Sequence, residues 1–564
     1  MKRMPGWKAT LQRMLHVSVI VWLGLSVPAA VSAQEPAVPG SQTQAEGQQP
    51  AGQGNKPAAG AQAKPGGKAE PGAATQITPE QAQKLFGLVD QLLKFSSDET
   101  GLPIRHDVKR QLTTRAAVES YLEEKFNEDQ DAKRMERSEI VLKKFGLLDR
   151  DFDLRPFLVA LLKEQIEAYY DAKTKTVNLL DWITPDDQKP VLAHELTHAL
   201  QDQHVDLETW SEQTPEDVSV NSAGDTEHLA KDELDSAREA VTEGQATAVM
   251  MDNVLKPMGH SLLKDPEVVE MIKQQMTGTT DSPVMARAPL LLSESLLFPY
   301  RDGLSFEQDV WMDMGQTAAF AGALDRPPAS TWEVMNPREY EKGHLARIPL
   351  LPNIHPLVDA LYQPYDIGQV GQLDLRILAK IYGGEQASRD LTSAWDGGLY
   401  WAGQARVATA AEKAHTKSVA LLYLSAWKSP ASAQQFTAMY ASALGRQFSG
   451  LKVDREAARS APATEGETEQ VYSTDEGPVV LTTRGRLVFV AESFDLALAR
   501  KLAALLMDAQ GSGAMQLAQA GRRTRPGSDA DAGSHETLTG SMVQFLSGCG
   551  VMKAAVEPTV RLAK

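Results

Sequence analysis

The sequence predicts an α+β protein: a mainly helical domain with a small β-hairpin or sheet, followed by a smaller α+β domain. Three observations predict it. Apolar residues recur at helical spacing through most of residues 77–347. One pair of short β-prone runs around a polar turn interrupts them at Ala168–Leu179. From residue 348 to 510, strand-like runs alternate with helical ones, the pattern of a separate α+β unit. With 564 residues and 42% hydrophobic content, the chain is long and apolar enough to give two such domains cores of their own.

Residues 1–33 carry Lys2, Arg3, Lys8 and Arg13 and no acid, then an apolar run from Val17 to Val27 and the small-residue site Val31-Ser32-Ala33. This is the layout of a cleavable signal peptide, and it predicts a secreted or periplasmic protein with no stable membrane span after cleavage. Residues 34–76 are rich in Pro, Gly, Ala and Gln, with Val38 their only branched aliphatic, and read as a flexible tether. Loss of the four leader cations moves the formal charge from −17 to −21. A body that acidic, with no basic stripe, repels nucleic acid, so no nucleic-acid partner is expected. Cys549 is the only cysteine, which excludes an intrachain disulfide. Residues 511–564 are thin in apolar content and read as a disordered tail.

Thr78-Pro79-Glu80-Gln81 supplies an N-cap, a first-turn proline and a capping-box partner for a helix whose stripe is Leu85, Leu88, Val89, Leu92 and Phe95. Leu102–Thr113 reads as irregular or strand, and helices are expected over Arg115–Phe126, Ala132–Phe145 and Arg155–Ala168. In the hairpin that follows, Thr176–Leu180 is expected to form a sheet edge on which an extended peptide adds a strand. A buried helix then starts at Pro190 as its first position, with Val191, Leu192, Leu196, Ala199 and Leu200 at helical spacing. Glu208–Lys231 reads as a loop and Asp232–Leu255 as a second long helix. Further helices are expected over Pro266–Met276, Ala286–Leu297 and Phe306–Ala323, separated by the turn-rich runs Phe298–Gly303 and Asp325–Thr331. Beyond residue 348 the expected order is a helix at Leu373–Tyr382, a turn at Trp395–Gly398, and strands at Leu399–Val407 and Val419–Trp427. A helix opened by Ser429-Pro430, a hairpin of Val479–Thr482 with Leu487–Ala491, and a helix at Asp495–Met507 complete it.

The chemistry lies in His194-Glu195-Leu196-Thr197-His198. On a helix, residues four apart project from one face, so both imidazoles can reach one tetrahedral zinc ion. Glu195 is rotated by about 100° from His194, where it can touch a water without ligating, as a general base must. This is the H-E-x-x-H pattern of zinc metallopeptidases. A catalytic zinc takes three protein ligands, and three residues compete for the third place. His204 gives metzincin spacing, but Gln201 stands where that pattern has a glycine, and without the glycine's sharp turn His204 points away. Glu243 and Glu239, one turn apart on the following helix, are the carboxylate alternatives. Gly244 and Ala246, being small, would let that helix approach the metal helix closely. Asp202 or Asp206 could orient a ligand imidazole. His228, Tyr170, Tyr300 and Arg301 are candidate transition-state donors.

The run Ala193 to His204, the Tyr169-Tyr170-Asp171 hairpin before it, Glu243-Gly244-Gln245-Ala246 after it, and the Phe298-Pro299-Tyr300 and Arg326–Thr331 segments together resemble secreted bacterial zinc metallopeptidases of gluzincin type. The resemblance spans roughly Gln81 to Glu341 and implies a zincin-like domain over residues 77–347. It further implies Zn2+ held by His194, His198 and Glu243, with Glu195 as base and a peptide or protein as substrate. Two rivals stand beside it: a zinc amide hydrolase acting on cell-wall material, and a secreted binding or scaffold protein whose zinc site is inactive. A structural site of the second kind is closed by four protein ligands. Oligomeric state is not readable from the sequence.

Overall fold

Thr78 accepts from the Gln81 amide while Gln81 Oε1 accepts from the Thr78 N–H at 2.7 Å, closing the expected capping box ahead of helix α1 (Pro79–Thr100). The computed structural model describes residues 77–516 except 129, 212–217, 263–264, 277–281, 460–465 and 513–514. The expected leader and tether, Cys549 and residues 517–564 lie outside the described residues.

After α1 comes strand β1 (Lys109–Thr113), then α2 (Arg115–Glu128), α3 (Gln130–Lys144) and α4 (Leu154–Gln165). Helix α4 stops short of Ala168 because that residue already belongs to β2 (Ala168–Asp171). Strand β3 (Thr176–Leu180) completes the hairpin, and the sheet order is β1-β3-β2. Here one expectation fails. Thr176–Leu180 is no edge: it is the central strand, parallel to β1 and antiparallel to β2, and buried throughout. Its Val177, Leu179 and Leu180 are buried, and the buried polar Asn178 is satisfied from β1, its Oδ1 accepting from Gln111 Nε2 at 2.6 Å and Thr113 Oγ1 at 3.0 Å.

Five further long helices build most of the rest of this part. Helix α5 (Pro185–Val205) carries the H-E-x-x-H run. Helix α6 (Ser222–Lys231) lies inside the stretch expected to be a loop, started by Asn221, whose Oδ1 accepts from the amides of Ala223 and Gly224 at 3.1 and 3.0 Å. Its polar composition hid it, since among its apolar residues only Leu229 is fully buried. Helix α7 (Leu234–Leu255) is sandwiched between α5 and the long α9 (Leu290–Met314), with α8 (Pro266–Met276) against α9 and α1 against both α5 and α7.

The expected break at Phe298–Gly303 does not exist, and α9 runs straight through Pro299. A proline inside a helix costs about 3 kcal/mol. Leu296, Leu297, Phe298 and Tyr300 are all buried around it, at roughly 1.5–3 kcal/mol each, so tertiary packing outweighs the local signal. Gly303 serves a contact and not a turn: a Cβ there would collide with the Ala240 carbonyl of α7. After α9 the chain takes a π-helical turn at Ala318–Gly322.

The C-terminal part is a seven-stranded antiparallel sheet. A two-residue strand β4 (Arg347–Ile348) precedes β5 (Tyr362–Gln369), α10 (Gln372–Ala394), β6 (Trp395–Ala405), β7 (Val419–Trp427) and α11 (Pro430–Gln447). Then follow β8 (Lys452–Val453), β9 (Glu467–Thr474), β10 (Gly477–Arg484), β11 (Leu487–Glu492), α12 (Leu496–Ala509) and β12 (Met515–Gln516), which pairs with β4. The sheet order is β5-β6-β7-β11-β10-β9-β8. Trp395–Gly398, expected to be a turn, is the bulged start of β6. Strands β5 and β9 went unread because Pro364 and a run of polar residues masked their alternation. Packing crosses the sequence boundary at 347/348: α3 lies against β5 and β7, and Phe145 meets the rings of Tyr400 and Tyr423 edge-on. Lys144 ends α3 wholly buried, its Nζ donating to Glu476 at 2.8 Å and to Ser493 Oγ at 2.6 Å.

Candidate metal centre

Helix α5 begins five residues before Pro190, which therefore lies in its interior and not at its first position. The stronger start signal is Thr184-Pro185-Asp186-Asp187: a side-chain cap, a proline that needs no hydrogen bond, and two acids at the positive end of the helix dipole. Leu192, Ala193, Leu196, Ala199 and Leu200 are fully buried, so the two histidines sit on a helix gripped from several sides. The helix continues through Gln201 to Val205 and ends at Asp206 in the left-handed region. There is no metzincin turn. His204 stands apart from the two histidines, its side chain mostly buried and its Nε2 meeting Asp325 at 3.0 Å.

His194 and His198 meet at the expected spacing, with Nε2 to Nε2 at 2.8 Å. Glu243, on α7, closes the third side: its Oε2 is 3.0 Å from His194 Nε2 and its Oε1 is 3.5 Å from His198 Nε2. The three ligand atoms lie within 4.8 Å of one another, and among the described residues theirs is the one such group. Of the three contenders for the third position, Glu243 is the one the fold delivers. Glu239, one turn earlier and only half-buried, and His204 stand outside it.

Three lone-pair donors aimed at one point repel unless a cation or a proton lies among them. Donors around a tetrahedral zinc stand roughly 3.3 Å apart, close to the separations here, and two imidazoles with one carboxylate are a zinc set. The electrostatics reflect this demand for positive charge. Burial alone would raise Glu243, but the two imidazoles bring its carboxyl down to about 2. Burial, and then His198, push His194 down. Burial opposes protonation of His198 too, yet the Glu243 carboxylate lifts it above the ordinary histidine value. No protein-family model, curated protein or solved structure matches this chain.

Glu195 lies beside the group, buried, with its Oε1 unpartnered in the protein. Burial first, and the charge of Glu243 second, raise its carboxyl to about 7, against the pull of His198 and a hydrogen bond from the Tyr170 main chain. That hydrogen bond places β2, an edge of the three-stranded sheet, next to Glu195, where Thr176–Leu180 was expected.

The expected supporting residues are distributed differently. Asp202 accepts from Tyr170 Oη at 2.7 Å, Lys175 Nζ at 2.9 Å and the Leu207 amide, and Asp206 pairs with Lys175, so neither orients a ligand imidazole. Arg301 is held by Glu294 and Asp302, and His228 lies 3.5 Å from Asp232 in a separate buried group. The Tyr300 ring centroid is 6.4 Å from that of His194. Nor does Gly244 bring α7 onto the metal helix. It opposes Gly303 of α9, backbone to backbone. The residue missed was Gln201, whose Oε1 lies 2.8 Å from His198 Nδ1. Its position three residues after His198, on the same helical face, was the available signal.

Proposed function

We propose that the chain is an exported zinc metallopeptidase of gluzincin type, with a zincin-like catalytic domain in its helical part. His194, His198 and Glu243 hold Zn2+, Glu195 is the general base, and a peptide or protein is the substrate. The observation that carries this reading is the buried convergence of those three side chains within 4.8 Å, with a partnerless Glu195 oxygen alongside.

Zinc, when bound, polarises a carbonyl and lowers the pKa of water. Glu195 supplies the proton traffic: a carboxylate whose buried value is near 7 takes a proton from the attacking water and returns it to the leaving amine. The edge of β2 beside Glu195 offers main-chain groups with which an extended substrate can pair. The engagement of His204 with Asp325 favours this reading over a structural site, because it removes the fourth ligand that a closed site needs.

The test uses the purified full chain. Metal content by mass spectrometry, and hydrolysis of casein and of peptidoglycan fragments, are measured for wild type and Glu195→Gln, each with and without a chelator. One zinc per chain in both proteins is expected, with casein cleavage abolished by the chelator and in Glu195→Gln. A Glu195→Gln variant that cleaves casein at the wild-type rate overturns the assignment, and cleavage confined to peptidoglycan moves the substrate class to cell-wall amides.

A further inference from the structure

The two glutamines behind the metal ligands form a chain whose every direction can be deduced. Gln245 Nε2 lies 2.9 Å from the carbonyl of Ala319 and 3.0 Å from that of Phe320. Both partners only accept, so this end of the side chain must be the NH2 group and the other end its oxygen. That oxygen lies 2.9 Å from the Gln201 amide end, which is also 3.0 Å from the Thr242 carbonyl. Two acceptors again fix the NH2 group there, so the Gln201 oxygen faces His198 Nδ1 at 2.8 Å. An oxygen that only accepts requires Nδ1 to carry the hydrogen. The lone pair of His198 is thereby confined to Nε2, the atom that faces His194 and Glu243.

We propose that Gln201 and Gln245 are positioning residues of the metal centre, an amide relay that fixes the His198 tautomer and locks the two ligand-bearing helices in register. The proposal rests on the zinc reading above. Three features argue that the relay is built for this. Both side chains are fully buried, where an unsatisfied amide costs about 1–3 kcal/mol, so both are retained for their bonds. Gln201 bonds the carbonyl of Thr242, the residue before Glu243, so one amide holds an imidazole of α5 and the backbone of α7 at the level of the ligands. The relay ends on the π-helical turn Ala318–Gly322, whose Ala319 and Phe320 carbonyls accept from the Gln245 amide. A carboxylate in the place of Gln201 would add a second negative charge to a centre that already holds Glu243. The neutral amide orients the ring and leaves the charge of the site unchanged.

The experiment compares wild type with Gln201→Met, Gln245→Met and Gln201→Glu in the full chain. Zn2+ affinity is measured by chelator competition, ligand geometry by the visible spectrum of the Co2+ form, and folding by thermal unfolding of the metal-free proteins. Methionine keeps the volume and removes the acceptor, so Gln201→Met is expected to bind Zn2+ about 10- to 100-fold more weakly and to shift the Co2+ bands. Gln245→Met should shift both in the same direction by less. Gln201→Glu keeps an acceptor for Nδ1 but loses both donors and adds a buried charge, so it should hold the Co2+ bands near wild type while lowering the unfolding temperature of the metal-free protein. If wild type binds metal and both methionine variants match it in affinity and spectrum, the relay is overturned while the zinc site stands. If wild type binds neither Zn2+ nor Co2+, both fall. Should Gln201→Met fail to fold, Gln245→Met and Gln201→Glu decide the matter on the same readouts.

Discussion

Gly244 of α7 and Gly303 of α9 meet backbone to backbone, immediately after Glu243. A Cβ on either would run into the main chain of the other helix, which no rotamer change relieves. Gly303→Ala is therefore expected to cost about 3 kcal/mol and to weaken zinc binding by displacing Glu243. Urea unfolding of the metal-free chain and chelator competition check the two effects, and an unchanged urea midpoint would show that the crossing is not tight.

Glu243→Ala removes a member of the converging group, whereas Glu239→Ala removes a half-buried neighbour one turn away. The first should reduce Zn2+ affinity by more than the roughly 10- to 100-fold typical of an outer partner, and the second should leave it unchanged. Equal affinities in the two variants would move the third ligand elsewhere.

His204→Ala tests the metzincin alternative directly. Because this ring pairs with the exposed Asp325, its loss should leave one zinc per chain and change stability by less than about 1 kcal/mol. A variant isolated without zinc would return His204 to the ligand set.

Acid sensitivity should come from Glu294. Burial opposes its ionisation, but Arg301 and Arg376, with hydrogen bonds from Arg301 and Lys380 at 2.7 Å each, hold it down to about 2. Its folded value is below its ordinary 4.5, so its contribution is complete above about pH 4.5 and is lost as the pH falls toward 2. Glu294→Gln should cost about 3 kcal/mol at neutral pH by leaving buried cations under-compensated. The metal-free variant should also lose less of its urea midpoint than wild type between about pH 5 and about pH 3. Parallel acid profiles for the two proteins would assign the sensitivity to other groups.

The sequence made much of the converging group legible because that part of its information is local: His194, Glu195 and His198 lie within one turn and a half, and Glu243 follows on the next long helix. The first capping box was legible for the same reason. What depended on partners far along the chain was not. Phe298–Gly303 has the composition of a turn and becomes helix only because α7 presses on Gly303. Thr176–Leu180 is central because β1, more than sixty residues earlier, pairs with its free side. Gln201 looks like a departure from a histidine-ligand motif until Thr242 and Gln245 arrive to receive its hydrogens.

Lys144 is made 332 residues before the carboxylate that neutralises it. At roughly 5–20 residues per second, something like 20–60 seconds of synthesis separate the two. Throughout that interval an ammonium destined for the interior has only water for company, and sealing it away would be costly. Burial of this ammonium therefore depends on the turn between β9 and β10, which carries Glu476.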